Sequence, residues 1–319
     1  MWWTTLSAAF LGWTLGFNDS ANVVGTAVAV RIIRAMLAGI IMFIFATLGA
    51  ILLGRYGFDT LGKFGNQTPL TAFSIALSAA IAVRFVNRYG IPVSTSQAVV
   101  GAILGMGAAM GSLNLSPLGK VLISWVLTPI GGAFFAYIIF FVLRPITRPF
   151  RRSIFAWDNM IWWGMVLAAS YGAFSLGANN VANVTGVFVR AGVFTPFWGA
   201  VFGGLFIGLG GLSVGIFQKA SGKLFSTVGM GIVKLDSYTA LVAVLGEATT
   251  VLLFARVGVP VSATQALVGA VIGVGLAEAP YRINFGVLKN VVLSWFTSPL
   301  FAGVLSFAMG YVIKMGGWM

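Results

Sequence analysis

Long apolar runs constrain the fold of this chain more than any other feature of its sequence. They cover residues 35–54, 70–83, 93–110, 121–143, 162–177, 192–217, 238–254, 261–277 and 291–313. A helix of about 20 apolar residues is long enough to cross the hydrocarbon core of a bilayer. The runs lack the strict alternation of a membrane β-strand. The sequence therefore predicts an all-α polytopic membrane protein.

The charged residues support this prediction and exclude other classes. Only 8% of the 319 residues are charged, whereas a soluble domain has about 25%. The net charge is +13, but its Lys and Arg residues lie mostly at the ends of apolar runs, so no nucleic-acid binding is expected. Cysteine and histidine are absent, which removes thiolate and imidazole chemistry. No nucleophile–base pair or metal-ligand set is evident, and we expect no enzymatic activity and no cofactor.

An internal duplication divides the chain. The stretch "GFNDSAN" at residues 16–22 matches "GANNVAN" at 177–183, and "PVSTSQ" at 92–97 matches "PVSATQ" at 260–265. We predict transmembrane repeats at 1–143 and 160–319, joined by a basic cytoplasmic connector at 144–159. Five crossings per half would give the repeats opposite orientations, the common plan of secondary transporters.

The basic residues also predict the orientation and location of the chain. Those of the connector and of alternate loops are assigned to the cytoplasmic side by the positive-inside rule. Both termini are then extracytoplasmic, in a multi-pass protein of the inner (cytoplasmic) membrane. The first apolar segment lacks a basic leader, so no cleavable signal peptide is expected.

The two "PVS" segments predict broken or re-entrant helices that meet at a central site. Proline blocks a helix interior, and the following serine is a typical N-cap, so a helix restarts there. Free amide groups at such a helix start bind oxyanions. The expected anion-binding residues are Ser94, Thr95, Ser96, Ser262, Ala263 and Thr264.

Oxygen-bearing side chains in the same motifs predict cation binding, because hard cations prefer oxygen ligands. Glu247 is added because a carboxylate in an apolar span is a functional candidate, as a cation ligand or as a protonatable group. The expected sodium ligands are Asp19, Asn22, Asn179, Asn180, Asn183, Gln97, Gln265 and Glu247. Glycines at 101, 105, 269 and 273 are expected to serve close helix packing.

Together these motifs indicate cation-coupled symport of an oxyanion. A multiply charged anion cannot enter hydrocarbon without countercharge, and no Lys or Arg lies in the motifs. A channel would favour a continuous polar stripe over two paired clusters.

These motifs resemble those of the inorganic phosphate transporter family, which carries "GANDVAN"-type and "PVSTTHA"-type segments in each half. An "ATTVLL" run at residues 248–253 is also similar. The resemblance covers nearly the whole chain. It implies inverted repeats, a homodimer surrounded by membrane lipid, and uptake of phosphate driven by sodium or protons.

The sequence departs from the family pattern in three ways. Phe17 replaces an alanine, Asn180 stands where the family often has aspartate, and Gln97 and Gln265 replace a frequent histidine. The missing histidines favour sodium as the coupling ion. Proton-coupled or metal-phosphate symport, and transport of another oxyanion such as sulfate, stay open as alternatives.

Overall fold

Within the described ranges, each half of the chain contains five long helices in the same order. The computed structural model describes residues 2–62, 64, 67–89, 93–217, 233, 235–278 and 284–318. The helices of the first half are α1 (Thr5–Val23), α2 (Gly25–Ala29), α3 (Ala35–Leu53), α4 (Phe58–Gly62), α5 (Pro69–Asn87), α6 (Thr95–Met110) and α7 (Leu118–Thr147), of which α2 and α4 are short. Those of the second half are α8 (Ile154–Arg190), α9 (Pro196–Ile216), α10 (Ser237–Arg256), α11 (Ala263–Glu278) and α12 (Phe285–Met315).

Seven segments in the described part of the chain are long and apolar enough to cross a membrane. They are Ala35–Gly57, Pro69–Asn87, Leu118–Arg152, Ile154–Arg190, Pro196–Ile216, Ser237–Arg256 and Phe285–Met315. Helices α6 and α11 have 16 residues each, or about 24 Å, which is short of the roughly 30 Å hydrocarbon core. The polytopic helical fold is confirmed, with two short helices that start inside the protein.

Two of the four polar motifs lie within helices. Helix α8 runs without a break through "GANNVAN", and α1 continues through "GFNDSAN" to Val23. The asparagine side chains bond to other segments instead of their own backbone, so they do not compete with the helical hydrogen bonds. The breaks lie before α6 and α11, where the "PVS" segments were expected to restart a helix.

Close packing interlocks the two halves. A Cβ atom on Gly101 would clash with the backbone carbonyl of Pro299, and one on Gly105 with that of Gly303, so α6 packs in parallel on α12. The equivalent clashes for Gly269 with Pro129 and for Gly273 with Ala133 place α11 on α7. The packing role expected for these four glycines is confirmed. The last helix of each half thus packs on the fourth helix of the other half.

The basic connector is a tight turn between two long helices. Helix α7 ends at Thr147, a short 3-10 helix covers Arg148–Arg152, and α8 begins at Ile154. The outer parts of the predicted connector at 144–159 are therefore helical. The division into repeats at 143 and 160 stays a prediction.

Candidate functional site

The starts of α6 and α11 form the centre of the site. Ser94 caps α6, because its hydroxyl accepts a 3.3 Å hydrogen bond from the Gln97 amide. Ser262 precedes α11 in the same way and accepts from the Gln265 amide at 3.2 Å. The first amide groups of each helix have no acceptor inside the helix. The N-caps expected from the sequence are thus present, and both helix starts are buried.

The two helix starts are joined by a reciprocal pair of hydrogen bonds. The Ser96 hydroxyl donates to the Val261 carbonyl at 2.9 Å, and the Thr264 hydroxyl donates to the Val93 carbonyl at 3.1 Å. Each helix start therefore contacts the loop that precedes its counterpart. The opposite orientation of the repeats stays a prediction.

Two asparagines fix these loops. Asn18 donates to the Val93 carbonyl at 2.8 Å and accepts from the Val93 amide at 3.4 Å. Asn179 bonds in the same way to Val261, at 2.8 Å and 3.1 Å. Both ends of each amide group thus hold backbone in place. Asn18 was not among the expected site residues, although its alignment with Asn179 in the duplication was a signal for it.

Asp19 lies in a shell of amide donors. Its Oδ1 accepts from Asn18 at 2.6 Å and from Asn22 at 3.4 Å, and its Oδ2 accepts from Asn180 at 3.2 Å. The side chain is only 3% exposed. Asn180, the repeat equivalent of Asp19, is therefore also its hydrogen-bond partner. In the described part of the chain, this carboxylate is hydrogen-bonded by neutral groups.

The remaining amides link the halves in matched pairs. Asn22 donates to the Thr264 hydroxyl at 2.9 Å, and Asn183 donates to the Ser96 hydroxyl at 2.8 Å. Asn183 also donates to Asn180 Oδ1 at 2.8 Å. The bonds to Thr264 and Ser96 join the two repeats. The bond from Asn183 to Asn180 matches the bond from Asn22 to Asp19 in the first repeat. The same hydrogen-bond pattern therefore occurs twice.

Several buried acceptor oxygens in this region have no hydrogen-bond partner among the residues that the structure describes. They form two repeat-equivalent pairs: Asn22 Oδ1 with Asn183 Oδ1, and Gln97 Oε1 with Gln265 Oε1. An unsatisfied buried acceptor costs about 1–3 kcal/mol. A hard cation bound to such oxygens would remove that cost. All four residues belong to the set of expected sodium ligands.

Glu247 adds a second buried carboxylate. It is 1% exposed, and its Oε2 has no hydrogen-bond partner in the described part of the structure. Its counterpart in the first repeat is Ala79, which is buried and apolar. This acidic position therefore breaks the symmetry of the site a second time.

The structure brings the expected site residues to one region. Some of them make contacts that differ from their expected roles as ligands. Ala263 offers only its backbone amide at the start of α11, and Asn179 already uses its oxygen on Val261. The indole nitrogens of Trp125 and Trp295 are buried and lack an acceptor among the described residues, and no sequence signal separates this from ordinary packing. The anion-binding and sodium-binding assignments stay predictions.

A helical membrane protein with two matching halves and paired polar groups where they meet has the architecture of a secondary transporter. Residues 15–160 and 155–306 each match the phosphate transporter family. The chain therefore belongs to the phosphate transporter family, so it is a transporter and not an enzyme.

Individual relatives agree with this membership. A protein of Pyrococcus furiosus, provisionally named a phosphate permease, is 29% identical over 95% of this chain and 93% of its own length. A similarly named protein of Methanocaldococcus jannaschii is 27% identical over 95% of both chains. The sulfate permease CysP of Bacillus subtilis is 29% identical over 97% of this chain and 85% of its own.

A solved structure supports the fold. The structure titled "The sodium-dependent phosphate transporter" superimposes with a TM-score of 0.84 over 98% of each chain. The sequences are 24% identical, so this likeness establishes the helical architecture. Substrate and coupling ion need arguments from the residues of this chain.

Proposed function

We propose that this protein carries inorganic phosphate across the cytoplasmic membrane by sodium-coupled symport and alternating access. The observation that carries the proposal is the pairing of two helix starts with unsatisfied oxygens in one buried cluster. The helix starts suit an oxyanion, and the oxygens suit a hard cation. Membership of the phosphate transporter family makes phosphate the first choice among oxyanions.

Phosphate would bind between the starts of α6 and α11. The first-turn amides of both helices point to this centre, and the helix dipoles favour a negative charge there. The Ser96 and Thr264 hydroxyl hydrogens are directed to backbone carbonyls in this structure. Rotation of these hydroxyls toward phosphate would release the two loops from each other. Binding of the anion is thereby linked to the contacts between the repeats.

Sodium would bind beside the phosphate, at the oxygens of the asparagine and glutamine pairs. Asp19 supplies the negative charge, and the described structure surrounds it with neutral amides. A buried carboxylate and a phosphate would repel each other unless cations separate them. Coupling follows, because neither ion alone has a favourable site in the low-dielectric interior.

Sulfate is a second candidate substrate, and a specific observation favours it. A sulfate permease is among the relatives, at 29% identity over nearly the whole chain. Helix-start amides bind either tetrahedral oxyanion. Proton-coupled and metal-phosphate symport are further alternatives within the class. Assembly as a homodimer and extracytoplasmic termini stay expectations.

Uptake into proteoliposomes separates these candidates. Labelled phosphate is added with an inward sodium gradient at equal pH, and separately with an inward proton gradient without sodium. We expect accumulation in the first condition only, and weak competition by excess sulfate. Equal uptake from the proton gradient alone would contradict sodium coupling. Stronger uptake of labelled sulfate than of phosphate would assign the second substrate.

A further inference from the structure

An apolar groove runs along the outside of the protein, away from the central site. It lies between the end of α7, the first half of α8 and the start of α10, and has a volume of about 700 Å³. Its lining includes Leu143, Phe150, Met160, Leu167, Tyr171 and Leu245. Ile146 and Leu167 are exposed on its walls. The groove is therefore open at the surface that would face lipid.

The groove is about as long as one leaflet of a bilayer. Its lining follows α8 from Ala156 to Tyr171, which at about 1.5 Å per residue is roughly 22 Å. Half of a bilayer is about 20–22 Å thick when the headgroup region is included, and its hydrocarbon part is about 15 Å. A groove of this length and largely apolar lining suits an acyl chain lying along the helix, with the headgroup at one end.

Positive charge is concentrated at one end of the groove. Arg144 lies in the last turn of α7, and Arg148, Arg151 and Arg152 lie on the 3-10 turn that follows. All four are exposed. The lining of the groove includes their neighbours Leu143, Thr147 and Phe150. The arginines therefore lie where the headgroup of a lipid in the groove would be.

Aromatic rings orient one of these arginines. The Arg151 guanidinium carbon lies 4.8 Å from the centroid of the Trp157 ring and 5.4 Å from that of Tyr238. Stacking uses the face of the guanidinium and leaves its N–H edge for a bidentate oxyanion contact. The nearby Asp236 carboxylate is engaged as the cap of α10, where it accepts from the Thr239 amide at 2.7 Å.

We propose that this groove binds an anionic phospholipid, with an acyl chain between α7, α8 and α10 and the phosphate headgroup at the arginines of the turn. Basic pockets between membrane helices on the cytoplasmic side are typical sites for acidic headgroups. The charge at the groove end favours an anionic lipid over a zwitterionic one. A second copy of the chain fits the groove less well than a lipid, because it would have to place an acidic or polar surface opposite four arginines. The site is independent of the transport cycle proposed above.

Native mass spectrometry of the purified, delipidated protein tests this proposal. Phosphatidylglycerol or phosphatidylcholine with identical acyl chains is added at equal concentration, and bound lipid is counted. We expect preferential retention of phosphatidylglycerol. Arg144→Gln with Arg151→Gln should weaken its binding about 25-fold, at about fivefold per arginine. The control pair, Arg55→Gln with Arg256→Gln, removes the same charge elsewhere and should bind like the wild type.

Two further measurements keep the test decisive if the arginine variant folds poorly. Gly164→Leu adds a side chain to the groove lining and should weaken binding of both lipids. Glycerol phosphate, which has the headgroup charge without acyl chains, should not displace phosphatidylglycerol. Any one of four results would overturn the proposal. These are equal retention of the two lipids, an equal loss of binding in the control pair, displacement by glycerol phosphate, and a dimer whose interface keeps lipid out of the groove.

Discussion

The cluster around Asp19 and the cluster around Asn180 share one hydrogen-bond pattern but differ in charge. Asn18 and Asn179 each hold the loop before a helix start, and Asn22 and Asn183 each reach a hydroxyl of the other repeat. The pattern that occurs twice builds the framework of the site. The carboxylate of Asp19, which has only a neutral counterpart in Asn180, marks where the two repeats differ in function.

Exchanging the charge should have the largest effect. Asp19→Asn keeps the shape but removes the carboxylate, so sodium loses its charged ligand, and we expect phosphate uptake to fall about 100-fold. Asn180→Asp should disturb uptake less, because the added carboxylate lies beside the same cation. Sodium-dependent uptake at matched protein level measures both. If Asp19→Asn keeps the wild-type sodium dependence, the cation role moves to Glu247, and Glu247→Gln becomes the decisive variant.

Removing one hydroxyl from each repeat should have a smaller and nearly equal effect. Ser96→Ala and Thr264→Val each delete one hydrogen-bond donor near the proposed phosphate position, a loss of about 0.5–1.5 kcal/mol. We expect the phosphate KM to rise about two- to tenfold with little change in expression. Ser124→Ala, which removes a hydroxyl bonded within α7, is the matched control. An unchanged KM in both site variants would move phosphate away from these helix starts.

Cysteine substitutions at equivalent surface positions of the two repeats should be accessible from opposite faces of the membrane, and they should have almost no effect on transport. Lys120 and Asn290 are repeat equivalents, and both are exposed. The chain has no cysteine, so Lys120→Cys and Asn290→Cys can be labelled singly with an impermeant maleimide. Opposite orientation of the repeats requires labelling from opposite faces of the membrane. Labelling of both from one face would make the repeats parallel.

Local signals predicted the helices and much of the site. Serine after "PV" is a strong N-cap signal, and the structure has Ser94 and Ser262 in that role. The register of the duplication also paired Asp19 with Asn180 before their contact was known. These features follow from backbone chemistry within a few residues of each motif, which a sequence displays directly.

Contacts between distant segments could not be predicted in the same way. The bond from Asn22 to Thr264 joins residues 242 positions apart, and nothing in the local sequence selects that partner over Ser96. The continuity of α8 through "GANNVAN" depends on such contacts, because polar residues compete with a helix when they bond to its backbone. Asn18 was overlooked although the duplication aligns it with Asn179, because its bonds to Val93 depend on the tertiary structure.

The exchange of packing partners between the halves has a consequence for biosynthesis. Helix α6 needs the backbone of Pro299 and Gly303 beside its glycines, and those residues are translated only with α12 of the second repeat. The first repeat is inserted while the surface of α6 that will contact α12 is still uncovered. The first repeat therefore cannot complete its packing until α12 has been translated. A nascent chain halted after the basic turn would therefore expose this surface to lipid or to the insertion machinery.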